Sequence, residues 1–203
     1  MENQSLSRSR KNLKTATMVK VSLLGAISFV FMALEFTIPI FPAFLKFDIS
    51  DIPSLIAGFA LGPIAGVIVQ FIKNIMNVAI MGTTTGGVGE LSNFVIGSSF
   101  VATAALIYKH HKGIKSAIIA CICGTLVMTI LGVFSNYFVM LPLYSKFIPM
   151  DKIVQMGSVV NPAIKDTFTL VLYGIAPFNI FKGLSISFLT MLIYKKISIL
   201  LKR

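Results

Sequence analysis

Acidic residues are scarce in this chain: seven Asp and Glu stand against eighteen Lys and Arg in 203 residues. Tryptophan is absent, and there are two cysteines and two histidines. Charged residues make up 12% of the chain, against roughly 25% in a typical soluble domain. That supply cannot cover a soluble fold with polar groups. Chemistry-bearing motifs are missing too. No Gly-Lys-Ser/Thr ending closes the Gly-rich stretch 82–89, so it is no phosphate-binding loop. No H-E-x-x-H, G-x-S-x-G or pair of acids occurs within an apolar run, which argues against an enzyme. Cys121 and Cys123 form a C-x-C pair inside such a run, and there a free cysteine behaves as a small packing hydrophobe. His110 and His111 belong to a basic loop and contribute to its charge. A metal site and a bound cofactor are not expected.

What the chain has is long uncharged runs: 21–34, 52–72, 91–108, 116–145, and 167–194 with the single charge Lys182. Hydrophobic residues reach 56%, with a mean hydropathy of +0.88. A helix needs about 20 apolar residues to span a bilayer. Helices are the default there because hydrocarbon offers backbone groups no partner. The alternation of period two that marks a membrane barrel is absent. The expected fold class is all-α: an integral membrane bundle of six transmembrane helices.

The net charge of +11 would suggest nucleic acid in a soluble protein, but here the basic residues sit at the ends of apolar runs. Segment 51–81 decides the topology. Gly62-Pro63 reads as a break, with Gly closing one helix and Pro opening the next. Two helices in so short a stretch must both be short. With the break, twelve Lys and Arg fall on the N-terminal side: Arg8, Arg10, Lys11, Lys14, Lys20, Lys109, Lys112, Lys115, Lys195, Lys196, Lys202 and Arg203. Four fall opposite: Lys46, Lys146, Lys152 and Lys165. Without the break the two sides are equal, so the positive-inside rule selects it. The expected organisation is a basic cytoplasmic segment 1–20 with no evident cleavable signal, a membrane domain 21–196, and a cytoplasmic tail 197–203. The protein belongs in the plasma membrane with both termini inside.

Polar groups within spans are costly and usually functional. Lys73 and Asn77 are four apart, and Asn179 and Lys182 three apart, so each pair shares a helix face. Lys182 precedes the basic end at Lys195 by about 20 Å of helix, which puts it in the outer half of the membrane. Asn136, Asn93 and Asn77 reach similar depths. These groups converge below the outer surface, around a hydrated cavity or a ligand. The acids Glu35, Asp48, Asp51, Glu90, Asp151 and Asp166 are expected near the outer edge. Loop 37–51 is apolar, with Phe41, Phe44 and Phe47, and suits a lid. Ser22, Gly25, Ala26 and Ala33 put small residues along the first helix, where another helix can approach closely.

Several stretches in order carry a family likeness: Phe47-Asp48-Ile49-Ser50-Asp51-Ile52-Pro53, Gly62-Pro63, Lys73-Asn74, Asn93-Phe94, Asn136-Tyr137-Phe138 through Leu143-Tyr144, and Pro177-Phe178-Asn179-Ile180-Phe181-Lys182-Gly183. The chain resembles the substrate-binding S components of energy-coupling factor (ECF) vitamin importers, in particular the riboflavin-binding kind. The resemblance implies a vitamin pocket in the outer half, with Asn136, Asn179 and Lys182 at the polar edge of the flavin. It implies that the loop at Lys46, Phe47 and Asp48 closes over the pocket. Lys73, Asn77, Asn93 and Tyr144 are further candidates for substrate contact. It also implies a transmembrane coupling protein, docked on Ser22, Gly25, Ala26 and Ala33, and two ATP-binding subunits. Riboflavin would be cargo, not a cofactor. An S component for thiamine or a folate, or one that also accepts flavin mononucleotide, is the alternative.

Overall fold

The computed structural model describes the backbone of residues 2–202 and the side chains of residues 15–193. The basic stretch 1–14 and the tail 197–203 lie outside the residues whose side chains are described. Helices carry nearly the whole chain. α1 (Glu2–Ala33) leads into a two-stranded antiparallel ribbon, β1 (Phe36–Thr37) and β2 (Lys46–Phe47), with Phe36 opposite Phe47. Then come α2 (Asp51–Leu61), α3 (Pro63–Met81), α4 (Val88–His110) and α5 (Ile114–Ser135). A wide turn (Asn136–Met140) joins α5 to α6 (Leu141–Tyr144). After α7 (Met150–Ser158) and α8 (Thr167–Leu170), a second wide turn (Val171–Ile175) leads into α9 (Ala176–Lys202).

Five stretches are long and apolar enough to cross a membrane: Thr15–Ala33, Pro63–Met81, Val88–His110, Ile114–Tyr144 and Thr167–Ile193. α2 has 11 residues, about 16 Å of rise, well short of a hydrocarbon core of about 30 Å. The break falls as expected. Gly62 has φ +107, a conformation that favours glycine, and Pro63 opens α3 where its missing N–H costs nothing. The expectation that the third helix is short needs correction. α3 takes 19 residues of the segment, so the shortfall lies entirely in α2.

Polarity is distributed inside out. Leu23, Ile27, Val30, Ile68, Ile118, Ile122 and Phe188 face outward, whereas Ser28, Asp51, Gln70, Lys73, Thr125 and Thr190 are buried. Lipid accepts apolar side chains as readily as a core does, so the helices pack through close fit and polar pairs. The main core joins α2, α4, α5 and α9 through Leu55, Phe100, Val101, Ala104, Ala120, Met128 and Ile186. A second cluster, with Leu141, Ile153, Ile164, Leu170 and Ile175, ties α7 to α6, α8 and the second wide turn. Gly25 belongs to this internal packing: a Cβ there would stand 2.7 Å from Ile72 of α3. It is therefore a seam within the bundle, correcting its assignment to a partner surface. Ser22 is exposed, and Ala26 and Ala33 are half-buried.

Both wide turns end two residues before a proline, Pro142 and Pro177. Proline cannot donate the usual helical hydrogen bond and its ring clashes one turn back, so a widened turn accommodates it. Asn136 opens the first wide turn, and Asn179 follows the second by four residues.

Candidate substrate cavity

A narrow cavity of about 110 Å³ lies at the ribbon end of the bundle. Asp51 of α2, Asn93 and Gly97 of α4, Met128 of α5, Asn136, Ile175, and Phe178, Asn179 and Lys182 of α9 form its walls. Phe44, Leu45 and Lys46 of the ribbon loop close it. A second space of about 260 Å³ adjoins it, sharing Phe44, Lys46, Gly89, Asn93 and Tyr144 and adding Glu35, Asn77, Thr84, Thr85 and Glu90. The loop is held as a roof by aromatic contacts on α9. Phe41 meets Phe178 edge-on at 5.3 Å and Phe181 at 5.6 Å, and Phe47 meets Phe181 at 5.7 Å. Ring pairs at such separations contribute about 0.5–1.5 kcal/mol each beyond the area they bury.

Below the roof, four charges form a closed, buried ring. Lys182 donates to Asp48 at 2.8 Å and lies 3.8 Å from Asp51. Lys73 donates to Asp51 and to the Ser50 hydroxyl, each at 2.6 Å. The Ser50 hydroxyl and amide both donate to Asp48, and Gln70 adds a bond to Asp51 at 2.7 Å. Two cations balance two anions, so no charge is left uncompensated in a place where that costs several kcal/mol. The acids expected at the outer edge thus reach inward. Asp48 and Asp51 lie at the start of α2, and the chain folds them down onto α3 and α9.

The amides are less complete. Asn136 is buried and donates from Nδ2 to the Gly132 carbonyl at 2.8 Å. Asn179 is 4% exposed, and its Nδ2 has no partner. It fits only because residue 132 is glycine: a Cβ there would lie 2.3 Å from that nitrogen. A buried donor left unpaired costs about 1–3 kcal/mol, and this one belongs to a residue of the cavity wall.

Of the expected contacts, Asn136, Asn179, Lys182, Asn93, Tyr144 and Lys46 line the inner cavity, and Asn77 lines the adjoining one. Asp48 stands behind Lys182. Two assignments are corrected. Lys73 is fully buried against α2, and Phe47 packs between Phe36 and Phe181, so both support the wall rather than face the space. Gly132, Gly97 and Gln70 were not singled out from sequence. Gly132 had a usable signal, lying one helical turn before Asn136. Gln70 had none, since only the fold brings it to Asp51. Among the described residues, no cluster of His, Cys, Asp and Glu could hold a metal ion, and both cysteines are free.

Comparisons with known proteins identify the family and the fold. The family described as the substrate-specific component of ECF transporters matches residues 16–194. The riboflavin transporter RibU of Staphylococcus aureus is 41% identical over 187 residues, covering 92% of each chain. The riboflavin transporter FmnP of Bacillus subtilis is 37% identical, covering 91% of this chain and 93% of its own. A solved S component of a bacterial ECF transporter superposes with a TM-score of 0.74 at 38% identity, covering 94% of this chain and 99% of that one. A family match over residues 16–194 and relatives at 41% and 37% identity over nearly the whole chain show that the chain belongs to this family: it is a substrate-specific component of an ECF transporter.

Proposed function

We propose that this protein captures riboflavin from outside the cell and delivers it inward as the binding subunit of an ATP-driven importer. The observation that carries the reading is the unpaired Asn179 amide beside Lys182 and Asn136, under an aromatic-backed roof. A flavin presents a flat apolar ring edged with carbonyls and ring nitrogens. Asn supplies paired donor and acceptor, and Lys supplies donors to carbonyl oxygens. Met128, Ile175 and Phe178 supply apolar and ring contact. The loop carrying Phe44 to Phe47 is the lid. Both termini are cytoplasmic, in keeping with the basic bias of the N-terminal side.

The partners are a transmembrane coupling protein and two ATP-binding subunits, since the chain carries no nucleotide-hydrolysis motif of its own. Ser22, Ala26 and Ala33, which face away from the neighbouring helices more than Gly25 does, offer the docking face on α1.

The test is titration of purified protein with riboflavin, followed by flavin fluorescence and visible absorption, with thiamine and a folate as controls. Saturable quenching by riboflavin alone is expected. A preparation that ignores riboflavin but takes up another vitamin overturns the substrate. Ala26→Leu is expected to abolish uptake in cells while leaving binding intact, and equal loss of both would remove the docking assignment.

A further inference from the structure

The outer cavity has a charge pattern that the inner one lacks. The charged groups lining it among the described residues are Glu35, Lys46 and Glu90. Lys46, the one cation, is ion-paired with Glu35 at the point where the ribbon meets α1. Glu90 stands across the cavity in the first turn of α4 and accepts a hydrogen bond from Thr83 at 3.1 Å. Thr84, Thr85, Tyr144, Asn77 and Asn93 add hydroxyls and amides to a wall whose remainder is apolar, with Met32, Leu141 and Ile148 among it. The space is therefore rich in groups that bond a polyol and carries a net negative charge, its lysine already neutralised. The ion pair with Glu35 leaves Lys46 no free charge to offer a phosphate.

We propose that Glu35 and Glu90 are specificity determinants that select an uncharged hydroxylated tail and reject a phosphorylated one. This rests on the riboflavin reading, with the ring in the inner cavity and the tail in the outer one. Glu90 carries the net negative charge of this border and Glu35 cancels Lys46, so a dianion entering the space meets repulsion and no free cation. Riboflavin and flavin mononucleotide share a ring and differ at the end of the tail, so the ratio of their affinities isolates this effect.

The experiment measures Kd for both flavins, by fluorescence quenching at low salt, on the wild-type protein and on Glu35→Gln, Glu90→Gln and Lys46→Gln. The wild type is expected to prefer riboflavin. Each Glu→Gln change is expected to narrow the ratio by about 3- to 10-fold, the scale of one like-charge contact near a surface. Glu35→Gln should act more strongly because it also frees Lys46. Lys46→Gln should widen the ratio. Both glutamates are partly exposed, and the thermal midpoint of each variant checks its folding. Equal wild-type affinity for the two flavins, or a ratio that none of the three changes moves, would overturn the proposal. If the wild type bound neither flavin, the riboflavin reading itself would fall, and this inference with it.

Discussion

Lys73 and Lys182 are two ends of one buried ionic ring, yet they differ in what remains available. Lys73 is enclosed by α2 and α3, with its ammonium bound to Asp51 and Ser50. Lys182 is anchored by Asp48 on one side and still borders the cavity on the other. The same contrast separates the amides: Asn136 has a bond to its own helix, while Asn179 leaves a donor unpaired. A polar group buried and completed by the fold stabilises it. One that is buried and left incomplete at a cavity wall still has a bond to make.

The largest expected effect tests the closed end. Lys73→Met leaves Asp51 and Asp48 to share Lys182, which is 3.8 Å from Asp51, so one buried anion is uncompensated, and removing one partner of such a pair costs about 3–5 kcal/mol. A steep fall in the thermal midpoint in detergent is expected. A Lys73→Met protein as stable as wild type but unable to bind riboflavin would reverse the assignments of the two lysines. At the open end, Asn179→Ala is expected to weaken riboflavin by about 10- to 100-fold, since hydrogen bonds in a dry site carry about 1–3 kcal/mol. The ligand-free midpoint should hold or rise, because deleting a buried donor that bonds nothing relieves its desolvation cost and offsets the lost packing. Gly132→Ala sharpens the same point without deleting the amide. The added methyl collides with Asn179 Nδ2, so affinity should drop by about tenfold, roughly 1.4 kcal/mol, as read by the same titration.

The smallest effect comes from a carboxylate unlike those in the ring. Asp166 is exposed and caps α8, accepting from the Thr169 amide at 2.7 Å and from its hydroxyl at 2.8 Å. The Thr169 backbone bond, foremost, holds its carboxyl below the usual aspartate range. A depressed carboxylate contributes stability above its unfolded pKa and loses it as pH falls through the folded value. Asp166→Asn should therefore lower the midpoint slightly at neutral pH, and the difference from wild type should fade as pH falls through the lowered pKa of Asp166. An effect as large as that of Lys73→Met would erase the distinction between exposed caps and buried pairs.

Much of this was legible in the residues. Uncharged runs marked the long helices, because hydrocarbon tolerates little else. Gly62-Pro63 marked the break, because each residue suits only one side of it. Asn179 and Lys182 stood out as expensive groups three apart on one helix. The direction of Asp48 and Asp51 was not legible. Their position beside an apolar loop suited the membrane edge equally well, and only the turn into α2 sends them inward to two lysines far away in sequence.

Composition and periodicity thus determined by themselves that the chain is a helical membrane bundle, since each such signal arises within one helix and its solvent. Tertiary structure alone decided which lysine is sealed, which amide is left unpaired, and that Lys46 is paired with Glu35. Those outcomes depend on contacts between α1, α2, α3, α5 and α9, and pairing across helices leaves no trace in the spacing along any one of them.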